Sequence, residues 1–146
     1  MTNFLSGFQK GHFHILPLRI QMEDTDAGGI TYYANYLKFA ERGRAAALVY
    51  LGYPHKNIID RWEIMFVVRK CSVDYLVPAC LDEDLEIVTT FTPLNRVKVE
   101  VHQDVIRQEQ CLVRLETTLV CVGKNLRPAK IPDELIEKLK TFSKIE

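Results

Sequence analysis

The chain lacks a net charge, a redox or zinc-type cysteine spacing, and any long apolar run. Its 19 basic and 19 acidic side chains cancel. No global field therefore favours nucleic acid or an anionic membrane, and an anionic ligand has to be held by a local cluster. The four cysteines, Cys71, Cys80, Cys111 and Cys121, form no CxxC and no metal-ligand spacing with histidine. Three of them lie in strand-like runs, where a free thiol behaves as a small apolar residue, so a reducing compartment is expected rather than a disulfide framework. No segment is long and apolar enough to span a bilayer. Residues 1–11 hold Phe4, Leu5 and Phe8 without a continuous apolar stretch or a cleavage site. The expectation is a cytoplasmic protein, with residues 1–11 a flexible extension and residues 12–146 one domain.

Other absences narrow the chemistry. No Ser or Cys stands in a nucleophile-elbow pattern. His12, His14, His55 and His102 are scattered over strands and loops and read as structural. Asp24-x-Asp26 followed by Gly28-Gly29 resembles the start of a calcium loop, but position five is Gly28 and position twelve is Asn35 instead of a bidentate Glu. No metal is expected there.

What the chain does have is the stretch Glu23-Asp24-Thr25-Asp26-Ala27-Gly28-Gly29-Ile30-Thr31-Tyr32-Tyr33. Two aspartates one residue apart and two glycines lead into a helix expected over 33–51, where Tyr33, Tyr36, Leu37, Ala40, Arg44, Ala47, Leu48 and Leu51 recur at spacings of three and four. Thr31 and Asn35 are both candidate N-caps, and Gly52 with Pro54 ends the helix. Alternating residues predict a strand over 12–22, then four long strands: from Ile64 to Val77, Asp84 to Phe91, Arg96 to Val105 and Val113 to Cys121. In the first of these four, Met65, Val67, Arg69, Cys71, Val73 and Tyr75 are placed on one face. The connections at Pro78–Asp82, Thr92–Asn95 and Arg107–Gln110 are short, which favours antiparallel neighbours. A second helix is expected from about Pro132 to Phe142. The class is α+β: a curved antiparallel sheet wrapped around one helix, with an edge suited to a second copy.

The run from Asp24 to Arg44 resembles the signature of hotdog-fold acyl-CoA thioesterases of the 4-hydroxybenzoyl-CoA thioesterase family, and within it the Tol-Pal-associated group. The likeness continues through Phe66-Val67-Val68-Arg69, Asp74-Tyr75-Leu76-Val77-Pro78-Ala79 and Leu126-Arg127-Pro128-Ala129-Lys130-Ile131-Pro132. It implies hydrolysis of an acyl-CoA at a dimer interface, without cofactor or metal, by a homodimer or homotetramer. The family's catalytic carboxylate matches Asp26, and its carbonyl-polarising backbone N–H matches Tyr33. The Tol-Pal-associated group carries His at the position of Tyr33; the aromatic here is that of the 4-hydroxybenzoyl branch.

Such chemistry needs a nucleophile or base and a donor for the carbonyl oxygen. Asp26 fills the first role either way, Asp24 is read as holding the turn, and Gly28 and Gly29 allow close approach of substrate. Arg96 and Lys98 are the candidate contacts for CoA phosphates, set against a solvated strand face shared with Glu100 and Asp104. The reading from another class is a hotdog protein that binds acyl-CoA or acyl carrier protein, or scaffolds an envelope complex, without turnover.

Overall fold

In a computed structural model that describes residues 4–143, six strands form one antiparallel sheet around a 16-residue helix. The strands are β1 (Phe8–Lys10), β2 (Phe13–Arg19), β3 (Ile64–Tyr75), β4 (Asp84–Pro93), β5 (Lys98–Arg107) and β6 (Gln110–Gly123). The helices are α1 (Asn35–Tyr50), α2 (His55–Trp62) and α3 (Asp133–Leu139). Strand order across the sheet is β1-β2-β4-β5-β6-β3. Residues 4–11, expected as part of a loose extension, carry a 3-10 turn and β1, which pairs with β2 from Phe8↔Ile15 to Lys10↔Phe13. Three exposed residues give too little alternation for sequence pattern to register.

The buried face of α1 presents Tyr36, Phe39, Ala40, Gly43, Ala46 and Ala47 to the sheet. Its small residues permit close approach. A Cβ at Gly43 would sit 2.7 Å from Ile87 Cγ2 and 2.9 Å from Gln103 Nε2. Two apolar clusters result. One joins the first half of α1 to Leu16, Ile20, Leu85, Ile87, Val105 and Leu115. The other joins the second half to α2, α3 and the far ends of β4, β5 and β6.

Three expectations are corrected. The chain between Gly52 and Ile64, where the sequence pattern predicts no element, forms α2. Its signal is modest: Pro54 at the N-cap, one fully buried side chain, Ile58, and an end at Glu63 in the left-handed region. Arg61 forks onto Glu134 of α3 at 2.9 and 3.0 Å and holds the two short helices together, with Tyr53 on the same carboxylate.

Secondly, the connection around Pro78–Asp82 does not join neighbours, because β3 pairs with β6 at one edge while β4 lies beside β2. Sheet curvature brings those ends close enough for a short crossing. The connections after β4 and β5 do join neighbours.

Thirdly, β3 changes phase within its length. Its register on β6 shifts between Val68 and Lys70. A bulge inserts one residue, so alternation counted straight through fails. Phe66, Val68, Cys71, Val73 and Tyr75 lie opposite the buried Cys121, Leu119, Thr117, Leu115 and Val113, and so face inward.

Candidate active site

The acidic stretch folds into a small hairpin ahead of α1. Asp26 N–H donates to Ile30 O at 2.9 Å, and Gly29 N–H donates to Asp26 O at 3.1 Å. Gly28 N–H donates to Asp26 Oδ1 at 2.8 Å, which orients the carboxylate. Gly29 has φ +80°, a conformation that costs an L side chain about 1–2 kcal/mol. At Gly28 the demand is space, since a Cβ would press on Asp26 Oδ1 at 3.3 Å. One oxygen of Asp26 is thus held, the other has no hydrogen-bond partner among the described residues, and the side chain lies in solvent.

The crossing segment between β3 and β4 fixes this hairpin. Thr31 donates from both N–H and Oγ1 to Ala79 O, at 2.8 and 3.0 Å. Leu81 N–H donates to Gly29 O at 3.2 Å, and Tyr36 Oη accepts from Ala79 N–H at 3.1 Å. Asp24 is buried and structural in its contacts. Its carboxylate accepts Gln21 N–H at 2.8 Å, and its carbonyl accepts from Tyr32 N–H at 2.9 Å and Asn35 Nδ2 at 2.8 Å.

Neither Thr31 nor Asn35 caps α1: the N-cap is Ala34, with no side-chain bond. Asn35 spends its amide on Asp24 instead. Tyr33 therefore precedes the helix rather than opening it. Tyr36 and Leu37 N–H turn back to Tyr33 and Ala34 carbonyls at 3.4 and 3.2 Å. Among the described residues the N–H groups of Tyr33 and Ala34 meet no acceptor. Free donors at the positive end of a helix stabilise developing negative charge. The side chain of Tyr33 is 61% exposed and lies edge-on to Tyr75, whose hydroxyl donates to Tyr33 O at 3.3 Å. Tyr75 was not singled out from sequence.

From Tyr33 and Tyr75 the two elements run side by side in opposite directions. Tyr33, Leu37, Glu41, Arg44 and Leu48 form one stripe along α1. The inward stripe of β3 faces it, with the Cys71 thiol close enough to Arg44 to influence its charge. Leu37, Val68 and Tyr75 remain 45%, 54% and 48% exposed, so the space between the stripes is an open trough. At its far end lies a cavity of about 280 Å³, walled by Leu48, Ile58, Phe66, Phe91, Val99 and Leu119, with Glu41, Arg44 and His55 also lining it. Burial lowers the Arg44 pKa, and Glu41 counters that. Burial also lowers the His55 pKa, against the pull of Glu41, so its neutral form is favoured. Arg44 is tied to the sheet by a 3.2 Å bond to Gln103 Oε1, and Gln103 Nε2 donates to Ala40 O and Thr89 Oγ1.

Arg96 and Lys98 are not brought to Asp26 within the chain. Lys98 opens β5, whereas Val105 near its end lies level with Val113 and Tyr75. That separation is about 24 Å along the strand. Arg96 in the β4–β5 turn is also engaged, at 3.1 Å, by Asp133. Strand direction, which a reading of local charge leaves out, sets them far from Asp26 within one chain.

An antiparallel sheet wrapped on one long helix is the arrangement of the hotdog fold. The chain belongs to the thioesterase-like superfamily, whose profile it matches over residues 20–139. It is an enzyme of the thioester-hydrolase kind with the hotdog fold. Within the superfamily it is similar to the acyl-CoA thioester hydrolase YbgC of Escherichia coli O157:H7, at 34% identity over 126 residues, 85% of this chain and 93% of that one. The acyl-CoA thioesterase YbgC of Haemophilus influenzae is 33% identical over 121 residues, 82% of this chain and 88% of that one. Among solved structures, a probable thioesterase from Bartonella henselae superimposes with a TM-score of 0.79 at 29% identity, covering 82% of this chain and 99% of its own. A mutant of 4-hydroxybenzoyl CoA thioesterase in complex with 4-hydroxybenzoyl CoA gives 0.81 over 88% and 99%, at 21% identity, a likeness of fold alone.

Proposed function

We propose that the chain hydrolyses the thioester of an acyl-CoA to a free acid and CoA. Asp26 supplies the carboxylate and the Tyr33 N–H receives the carbonyl oxygen. The observation that carries this reading is the pairing of an oriented carboxylate with an N–H just ahead of α1, on the two arms of one hairpin, the second carboxylate oxygen and the N–H both without a partner among the described residues.

Two courses use the same groups. In one, the free oxygen of Asp26 attacks the carbonyl carbon and the CoA thiolate leaves, giving an anhydride that water then cleaves. In the other, Asp26 takes a proton from water as that water attacks, and the proton passes to the departing thiolate. In both, negative charge collects on the carbonyl oxygen, where one fixed donor contributes about 3 kcal/mol of transition-state stabilisation.

The active unit in this reading is at least a dimer. β3 is the outer strand beyond β6, and its exposed edge and the open trough beside it are suited to closure by a second copy. Arg96 and Lys98 enter CoA binding only as residues of such a copy. Acyl carrier protein is a second candidate acyl donor. Release of free thiol from short, long and aromatic acyl-CoAs tests the activity. Turnover of at least one series is expected, and no turnover on any of them would overturn the reading.

A further inference from the structure

We infer that the trough and cavity along α1 hold the alkyl chain of the substrate, and that the enzyme selects straight acyl chains of about twelve to sixteen carbons. This rests on the proposed site, since it places the thioester carbonyl at Tyr33.

The geometry sets the lengths. Tyr33, Leu37, Glu41, Arg44 and Leu48 share one side of α1, and Glu41, Arg44 and Leu48 line the cavity while Tyr33 lies at the hairpin. Tyr33 lies just ahead of α1, in the turn that the Tyr36 N–H closes; at the helical rise it is about 12 Å from Glu41 and about 22 Å from Leu48. An extended chain with carbon–carbon bonds near 1.5 Å advances roughly 1.3 Å per carbon. The first eight or nine carbons therefore lie in the open trough, against Leu37 and the inward residues of β3. Carbons beyond these pass Glu41 and Arg44 into the cavity, and its far wall at Leu48 is reached near the seventeenth.

The β3 bulge makes this path continuous. Without the extra residue between Val68 and Lys70, either Cys71, Val73 and Tyr75 or Phe66 and Val68 would turn away from α1. The lumen is apolar in its depth, with Phe66, Phe91, Val99 and Leu119 around it. Of its charged members, Arg44 is drawn back to Gln103 and has the exposed Glu41 carboxylate within electrostatic reach. A plain alkyl chain fits that lining better than one ending in a carboxylate.

The test is kcat/KM for butyryl-, octanoyl-, dodecanoyl- and hexadecanoyl-CoA. Beyond octanoyl, burial of each methylene adds up to about fourfold, so dodecanoyl-CoA is expected to exceed butyryl-CoA by more than about tenfold. Val99→Phe narrows the cavity wall, and Val68→Trp obstructs the exposed mouth without touching the core. Each should lower the dodecanoyl-to-butyryl ratio at least about tenfold, with melting temperatures reporting that both variants fold. Calorimetric binding of dodecanoic acid, present in wild type and weakened in Val68→Trp, reads the cavity independently of turnover. Equal rates for all chain lengths, a ratio unmoved by both variants, or preference for an acyl chain ending in a carboxylate would overturn the inference while leaving the thioesterase reading intact. Absence of turnover on every acyl-CoA would overturn the proposed activity, and then failure to bind dodecanoic acid would overturn the cavity assignment too.

Discussion

The two ends of α1 are built on opposite principles. Its start is polar and held by hydrogen bonds to backbone: Asp24, Asp26, Thr31 and Asn35 all bond main chain, and among the described residues two N–H groups are left free. Its later half is apolar, enclosed by α2 and α3, and open inside. The contrast separates two tasks. Charge stabilisation needs donors whose geometry is fixed before the reaction, and backbone in a braced hairpin provides that. Holding a flexible chain needs only volume and apolar surface. In the proposed reading a single helix serves both, because its axis would carry a ligand from one environment to the other.

Substitutions at each end should behave differently. Asp26→Asn keeps the acceptor for Gly28 N–H but is neither a base nor a nucleophile. Its kcat/KM for acyl-CoA should fall by about 10²–10⁴, with the melting temperature nearly unchanged. Gly43→Ala, midway along α1, should show the reverse. A Cβ placed at 2.7 Å from Ile87 Cγ2 overpacks the core and should cost about 1–3 kcal/mol in denaturant unfolding, with activity per folded molecule reduced far less.

Tyr33→Phe sharpens the comparison at the hairpin end. Because the donor is backbone, loss of the phenol should change kcat/KM by less than about tenfold; a larger loss would make the side chain itself part of the chemistry.

The smallest effect concerns pH at the other end. His14 is buried against Tyr50 and Phe142, its Nε2 bonded to Ser6 O at 2.6 Å and its Nδ1 without a partner among the described residues. Burial lowers its pKa, opposed in part by the Ser6 bond. A histidine depressed in the folded state gives stability that is present above its ordinary pKa and lost as pH falls through the folded value. Between about pH 8 and pH 5 the melting temperature should drop, and His14→Phe should flatten that drop.

The sequence made the central helix, the strands from β3 to β6 and the turn that carries Asp24 and Asp26 legible, because regular periodicity and short-range hydrogen bonding are local properties. Where a feature depended on distant chain, legibility ended. The β3 bulge hid which side chains face α1, since one inserted residue reverses every later one. Pairing of β3 with β6 rather than β4 hid the crossing segment that braces the hairpin. Arg96 and Lys98 looked suited to phosphate by charge alone, and strand direction placed them away from Asp26. Tyr75 and the cavity became visible only once both elements stood side by side.

The division between the two ends is most directly tested by equilibrium binding of dodecanoyl-CoA to the Asp26→Asn protein, measured beside thiol release on the same sample. The account predicts a complex about as tight as the wild-type Michaelis complex, with release of thiol all but abolished. Loss of binding together with turnover would contradict it, because Asp26 would then be holding the substrate rather than acting on it.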